Sequence, residues 1–249
     1  MKTKKKILNL SEKYSISNFS IYSRDLNNGT LVGINEKALF SPASLMKTPI
    51  LIAFLKNAER NPQLLEKKVV ATDEYFDYAL KQNFEVKTKI EKGGSYTLEQ
   101  LLTNMIAESD NIATLMLSKY VVQSDYNNLL EAVGLEVQDG GEDVDVRVKD
   151  FAGFFRVLYN ASYLNREYSE FALSILSKST VKLGIVDGLP REIQVAHKYG
   201  ERSIEQKQDG VTIIKERQLH DCGIVYSEKN PYILCVMTRG KDFEKQESF

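Results

Sequence analysis

Cysteine and histidine are scarce, with two of each in 249 residues. Two cysteines cannot build a disulfide scaffold. The two histidines, His197 and His220, stand apart from any Cys or carboxylate cluster at ligand spacing, so neither a metal nor another cofactor is expected. Charge of one sign is lacking too: the net charge is −1, which gives no reason to expect nucleic acid or an anionic membrane as partner. No apolar stretch approaches the roughly 20 residues of a membrane span. Low-complexity tracts and internal repeats are missing as well, and the apolar content is that of an ordinary globular chain of one large domain or two lobes.

Lys2, Lys4, Lys5 and Lys6 precede Ile7-Leu8-Asn9-Leu10. A secretory signal needs a longer apolar segment than this, and the lysines read as a solvated terminus. Phe19 to Leu26 and Leu31 to Ile34 read as strands around Asn27-Asn28-Gly29-Thr30, a strong hairpin signal. An apolar run, Leu45 to Leu55, is long enough for a helix ending near Arg60-Asn61-Pro62, with a kink expected at Pro49. From Leu64 to about Ser179 the pattern is mostly helical. It includes a Gly93-Gly94-Ser95-Tyr96 loop, a capping box at Thr97 and Gln100, an acidic loop from Gln138 to Asp145, and helices over Phe151 to Tyr159 and Tyr168 to Leu176.

The last third turns to strands: Ile193 to Tyr199, Val211 to Arg217, His220 to Tyr226 and Tyr232 to Thr238. A register that sets Tyr226 opposite Pro231 sets Cys222 opposite Cys235. A cross-strand bridge is thus geometrically allowed, although two small buried thiols are the expected state. Strands at both ends with helices between imply an α+β architecture. An antiparallel sheet is built from the two termini, with flanking helices and an inserted all-helical lobe. We expect one domain over 1–249, with a sheet lobe of 1–63 and 180–249, a helical lobe of 64–179, and a cleft where they meet.

Three short stretches carry chemistry. Ser44-Leu45-Met46-Lys47 places a hydroxyl three residues before an amine at the start of the apolar run. On a helix such residues share a face, and unpaired N–H groups in the first turn favour a developing negative charge. A serine needs a base, and a lysine can serve if it is desolvated or sits beside another cation. Ser109-Asp110-Asn111 falls at a break between two helices, where it suits a polar cluster or, more simply, an N-cap. Lys198-Tyr199-Gly200 ends the first strand of the last third, where a glycine permits close backbone approach.

Together and in this order, the stretches resemble the S-x-x-K, S-D-N and K-T-G motifs of the penicillin-recognising serine hydrolases, the class A β-lactamases and penicillin-binding proteins. Phe40-Ser41-Pro42-Ala43 and the Ala107 to Leu117 context strengthen the likeness, which covers nearly the whole chain. The resemblance implies an acyl-enzyme at Ser44, with Lys47 as base or proton relay and Ser109 passing a proton to the leaving nitrogen. It implies that Asn111 holds the substrate amide and that Asp110 fixes the turn. Lys198 supplies positive charge for a substrate carboxylate. The backbone N–H groups of Ser44 and Glu201 form the oxyanion hole, with Gly200 beside them.

Two departures follow. Tyr199 stands where the family has a small Thr or Ser that binds the substrate carboxylate. The Glu-x-x-Leu-Asn segment, whose glutamate directs the deacylating water, is missing. In the corresponding region, Gly134 to Lys149, Glu142 is the nearest substitute and Glu136 lies close by, but both read as solvated loop carboxylates. The expected activity is therefore serine hydrolysis of β-lactams or related cell-wall peptides with slow release. A catalytically silent binding protein on the same fold, or a peptidase or esterase with another substrate, is the alternative. The expected partner is a small molecule or peptide. Since the family acts on the cell envelope, periplasmic or secreted residence is expected, with the cytoplasm as the alternative. His197 is expected to serve packing, and a Ser-His-Asp triad through His220 and Asp221 ranks low without a nucleophile elbow.

Overall fold

A computed structural model describes residues 2–80, 82–84, 86–135, 145–181, 183–208 and 211–249. In chain order the helices are α1 (Lys2–Lys13), α2 (Lys47–Arg60), α3 (Asp73–Tyr78), α4 (Leu98–Ala107), α5 (Asn111–Ser118), α6 (Gln123–Val133), α7 (Val148–Tyr159), α8 (Arg166–Leu176) and α9 (Phe243–Glu247). The strands are β1 (Asn18–Asp25), β2 (Leu31–Ile34), β3 (Leu39–Phe40), β4 (Lys68–Val70), β5 (Ser95–Thr97), β6 (Val146–Arg147), β7 (Gln194–Gln208), β8 (Val211–Tyr226) and β9 (Tyr232–Gly240). The chain divides into two compact units, one of 1–45, 138–152 and 182–249 and the other of 46–137 and 153–181. The division falls after Leu45, so α2 groups with the helical unit rather than with the sheet as the sequence suggested.

The first unit is built on an antiparallel sheet ordered β2-β1-β9-β8-β7, which joins strands from both ends of the chain as the sequence pattern implied. The β1–β2 turn follows from its residues. Asp25 Oδ1 accepts the N–H groups of Asn27 at 2.8 Å and Asn28 at 2.9 Å, and Gly29 takes the left-handed φ of 75° that the turn needs.

Two strands expected at 211–217 and 220–226 are one continuous strand, β8, and β7 continues to Gln208, with a register shift at Ile204/Glu205. Cross-strand pairing persists across the charged residues, so their polarity marks the solvated reach of a long hairpin rather than a break.

Lys198, Cys222, Cys235 and Tyr22 are successive cross-strand partners and so form a row on one face. In the same register Val225 pairs with Tyr232. Cys222 and Cys235, both fully buried with Cα atoms 4.0 Å apart, are joined as a disulfide. This corrects the expectation of two free thiols: direct opposition brings the sulfurs together. A small ribbon, β3–β6, belongs to this unit as well.

The helical unit packs Leu51, Ile52, Phe54 and Leu55 of α2, Leu101, Leu102, Met105 and Ile106 of α4, and Ile175 and Leu176 of α8 at zero exposure. Periods of three and four place the α4 residues on one face, whereas α2, with Leu51 to Leu55 all at zero exposure, is buried on every side. Helix α4 opens on the expected capping box, with Thr97 Oγ1 accepting from Gln100 N and Gln100 Oε1 from Thr97 N. The residues after Gly93-Gly94, expected as loop, form strand β5 against β4. Pro49 is the third residue of α2, within the first turn, where an N–H would have no intrahelical partner; the reason to expect a kink disappears.

Candidate active site

In the helical unit, Lys47 opens α2 and is 4% exposed. Its Nζ lies 2.5 Å from Ser109 O, 2.6 Å from Asn111 Oδ1 and 3.2 Å from Ser109 Oγ. The carbonyl and the amide oxygen can only accept, whereas the hydroxyl can accept or donate. A charged amine donates to all three. A neutral amine donates to the first two and takes the Ser109 proton on its lone pair.

The second motif is shaped by its backbone. Ser109 sits at φ 55°, left-handed and uncommon for a residue with a side chain. Asp110 is the N-cap of α5, with Oδ1 accepting from Ala113 N at 2.9 Å. Burial pushes its carboxyl up from the usual range, against the N–H groups of Ala113 and Ile112 and the charge of Lys47. Asn111 is gripped at both ends of its amide: Oδ1 faces Lys47, and Nδ2 donates to Leu80 O at 2.9 Å. Gln82 Nε2 donates to Ser109 O at 2.8 Å. Sequence reasoning passed over Leu80 and Gln82, since a main-chain acceptor and a lone amide leave no motif.

In the sheet unit, half-buried Ser44 lies in a 3₁₀ turn, Ala43–Met46, not in the α-helix, which begins at Lys47. The turn opens on Ala43 in the left-handed region at φ 48°. Gly200 of β7 runs against this turn. A Cβ there would stand 2.8 Å from Pro42 O and 2.9 Å from Leu45 N, so only glycine fits. The next residue is half-buried Glu201.

Three groups hold the segment that leads into the turn. His220 Nε2 donates to Ser41 O at 2.9 Å, Arg202 Nη1 donates to Ser41 Oγ at 2.7 Å, and Arg239 Nη2 donates to Leu39 O at 2.7 Å. His220 Nδ1 accepts from Thr238 N at 3.2 Å, which fixes the neutral tautomer with its proton on Nε2. Full burial lowers its pKa to about 4.

Lys198 and Tyr199 are buried on adjacent positions of β7. Lys198 Nζ donates to Tyr199 O at 2.7 Å and lies 4.0 Å from the centre of the Tyr199 ring. The triad considered for His220 and Asp221 does not form. Asp221 Oδ1 instead meets His197 Nδ1 at 2.9 Å, and Asp221 Oδ2 accepts from Ile185 N at 3.0 Å. His197 is thus a buried partner of Asp221, consistent with packing.

Lys47, Ser109 and Asn111 come together in the helical unit, and Ser44, Lys198, Tyr199, Gly200 and Glu201 belong to the sheet unit. Glu142, the nearest substitute for the missing glutamate, and Glu136 lie outside the described residues. Among the described residues, no group of three or more His, Cys, Asp or Glu is placed to hold a metal ion, and no helix is long and apolar enough to cross a membrane.

Comparison with known proteins adds a family to this geometry. The curated β-lactamase VEB-1 of Pseudomonas aeruginosa is 26% identical over 188 residues, 69% of this chain. The match covers 62% of that relative's length. A β-lactamase structure from Chitinophaga pinensis DSM 2588 superposes with a TM-score of 0.81 at 18% identity, covering 99% of this chain and 94% of its own. PBP-A superposes with a TM-score of 0.73 at 19% identity, covering 96% and 93%. A mutant of PBP-A, solved as an acyl-enzyme complex with penicillin G, gives 0.72 at 20% identity, covering 97% and 94%. At these identities the structures establish the fold. The family model for the beta-lactamase enzyme family matches residues 2–248, and the chain belongs to that family.

Proposed function

We propose that this protein is a serine acyl-transfer hydrolase acting on a β-lactam or a related cell-wall peptide. Ser44 Oγ attacks the acyl carbonyl and its proton passes to Lys47. The oxyanion is received by the N–H groups of Ser44 and Glu201. Ser109 delivers a proton to the leaving nitrogen, so that the C–N bond breaks as the ester to Ser44 forms. Asn111 holds the substrate's amide carbonyl. The Lys198-Tyr199-Gly200 strand borders the substrate.

One observation carries the reading: the Lys47 amine lies within hydrogen-bonding distance of the side chains of both Ser109 and Asn111, linking the first motif to the second. The glycine-only approach of β7 to the Ser44 turn supports the oxyanion role, since it brings the main chain before Glu201 against the main chain around Ser44. A misplaced oxyanion donor costs about 100-fold or more in rate. Without the Glu-x-x-Leu-Asn segment, release of the acyl group is slow. The family's work on the cell envelope favours an exported protein.

Intact-mass spectrometry during incubation with penicillin G tests this. The expected result is a covalent adduct that persists for many minutes and is missing in Ser44→Ala. Rapid hydrolysis without accumulating adduct would remove the slow-release part. Failure of penicillins and a fluorophosphonate alike to modify Ser44 would favour a silent binding protein on this fold.

A further inference from the structure

We propose that the Lys198–Tyr199 pair selects acyl donors that carry no carboxylate beside the reacting carbonyl. The inference rests on the acyl-transfer reading and names the substrate class of that site. An anchoring lysine must offer its ammonium to the incoming anion. Here the ammonium is turned onto its own neighbour. Lys198 is 1% exposed, its Nζ donates to Tyr199 O at 2.7 Å, and the Tyr199 ring centre lies 4.0 Å away, within cation–π range. A threonine or serine would leave space at this position. The Tyr199 ring is itself 3% exposed and fills it.

The surrounding charges point the same way. Asp221 is the direct cross-strand partner of Tyr199, so the two side chains share a face. Its carboxylate is held there by Ile185 N and His197 Nδ1 at 3.0 and 2.9 Å. Gly184, left-handed at φ 64°, makes room for it, because a Cβ there would stand 3.0 Å from Asp221 Oδ2. Glu201 follows two residues along β7 and so projects on that face too. A substrate carboxylate approaching Tyr199 would meet two like charges and a covered cation. Of the guanidinium groups nearby in the sheet, Arg202 and Arg239 donate to Ser41 Oγ and Leu39 O, on the segment that leads into the Ser44 turn, and Arg217, on the Asp221 face, is stacked over the Phe243 ring. The geometry suits a neutral amide or ester.

Penicillin G and its methyl ester separate recognition from chemistry. In both, the Ser44 Oγ–acyl bond forms, the lactam C–N bond breaks and the serine proton ends on the lactam nitrogen; the ring carboxylate takes no part. Rates of adduct formation on the full chain, read by intact mass at equal concentrations, should be at least as high for the ester as for the acid. Tyr199→Thr should shift the ratio toward the acid by roughly tenfold, about 1.4 kcal/mol of discrimination, while Tyr199→Phe keeps the wild-type ratio. A wild-type protein acylated about tenfold faster by the acid overturns the proposal, and this arm needs no variant to fold. No adduct from either penicillin or from a fluorophosphonate would sink the acyl-transfer reading, and the selectivity with it.

Discussion

At Gly200 a missing side chain sets the geometry of the 3₁₀ turn at Ser44. Both backbone atoms that a Cβ would strike, Pro42 O and Leu45 N, belong to the turn that carries Ser44. They cannot rotate aside as a side chain could. Gly200→Ala should therefore displace the turn, slow adduct formation at Ser44 by about 100-fold and cost about 1–3 kcal/mol of stability. Acylation kinetics and urea unfolding check the two effects, and an alanine variant acylated at the wild-type rate would show that the turn is not held this way.

Residue by residue, the sequence was most informative where chemistry resides in side-chain identity. Ser44, Lys47, Ser109 and Lys198 could be named from motif spacing, and Lys47, Ser109 and Asn111 do meet. It was silent where a carbonyl does the binding, as with Leu80 O and Ser41 O. The pairing of Asp221 with His197 rather than with His220 has a simple cause. Consecutive strand residues point to opposite faces, so neighbours in sequence are kept apart, while a residue two positions from Asp221's cross-strand partner shares its face.

Among the elements, β8 and β9 are joined both by their ladder and by the Cys222–Cys235 bond, which closes a loop of sequence separation 13. Constraining such a loop in the unfolded chain stabilises by about 3 kcal/mol. Protein unfolded and refolded in reductant should show a urea midpoint lower by the corresponding amount than the oxidised form. Equal midpoints would mean the thiols contribute only as buried apolar groups. The register that brings them together was readable from the turn between the strands. The bond itself was not, because spacing fixes opposition and leaves oxidation open. Element boundaries failed where composition misled: the polar stretch between 217 and 220 read as a turn, yet β8 runs through it with each residue still paired to β7 or β9.

For the molecule as a whole, the sheet made from both termini and the helical middle were legible, because periods of two and of three to four are written plainly in the strands and helices. The grouping of α2 with the helical unit was not, since a helix apolar on every side does not say which neighbours will cover it.

A global consequence attaches to His220, whose pKa falls from 6.5 to about 4 in the folded protein. Between those values the unfolded chain binds the extra proton and the native state does not, so stability is present above pH 6.5 and is lost as pH falls toward 4. The loss approaches about 3 kcal/mol. Asp110, raised by burial, shifts stability in the opposite sense and is common to any His220 variant. Unfolding free energies at several pH values should therefore fall more steeply with acid for the wild type than for His220→Gln; identical slopes would refute the assignment.

The doubly tethered amide of Asn111 has its own implication. An asparagine free to spin would surrender rotational entropy each time it captured a ligand. This one, pinned by Lys47 at one end and by Leu80 at the other, has already given up that freedom during folding, so in the proposed reaction its grip on an acyl group would begin from a stationary partner.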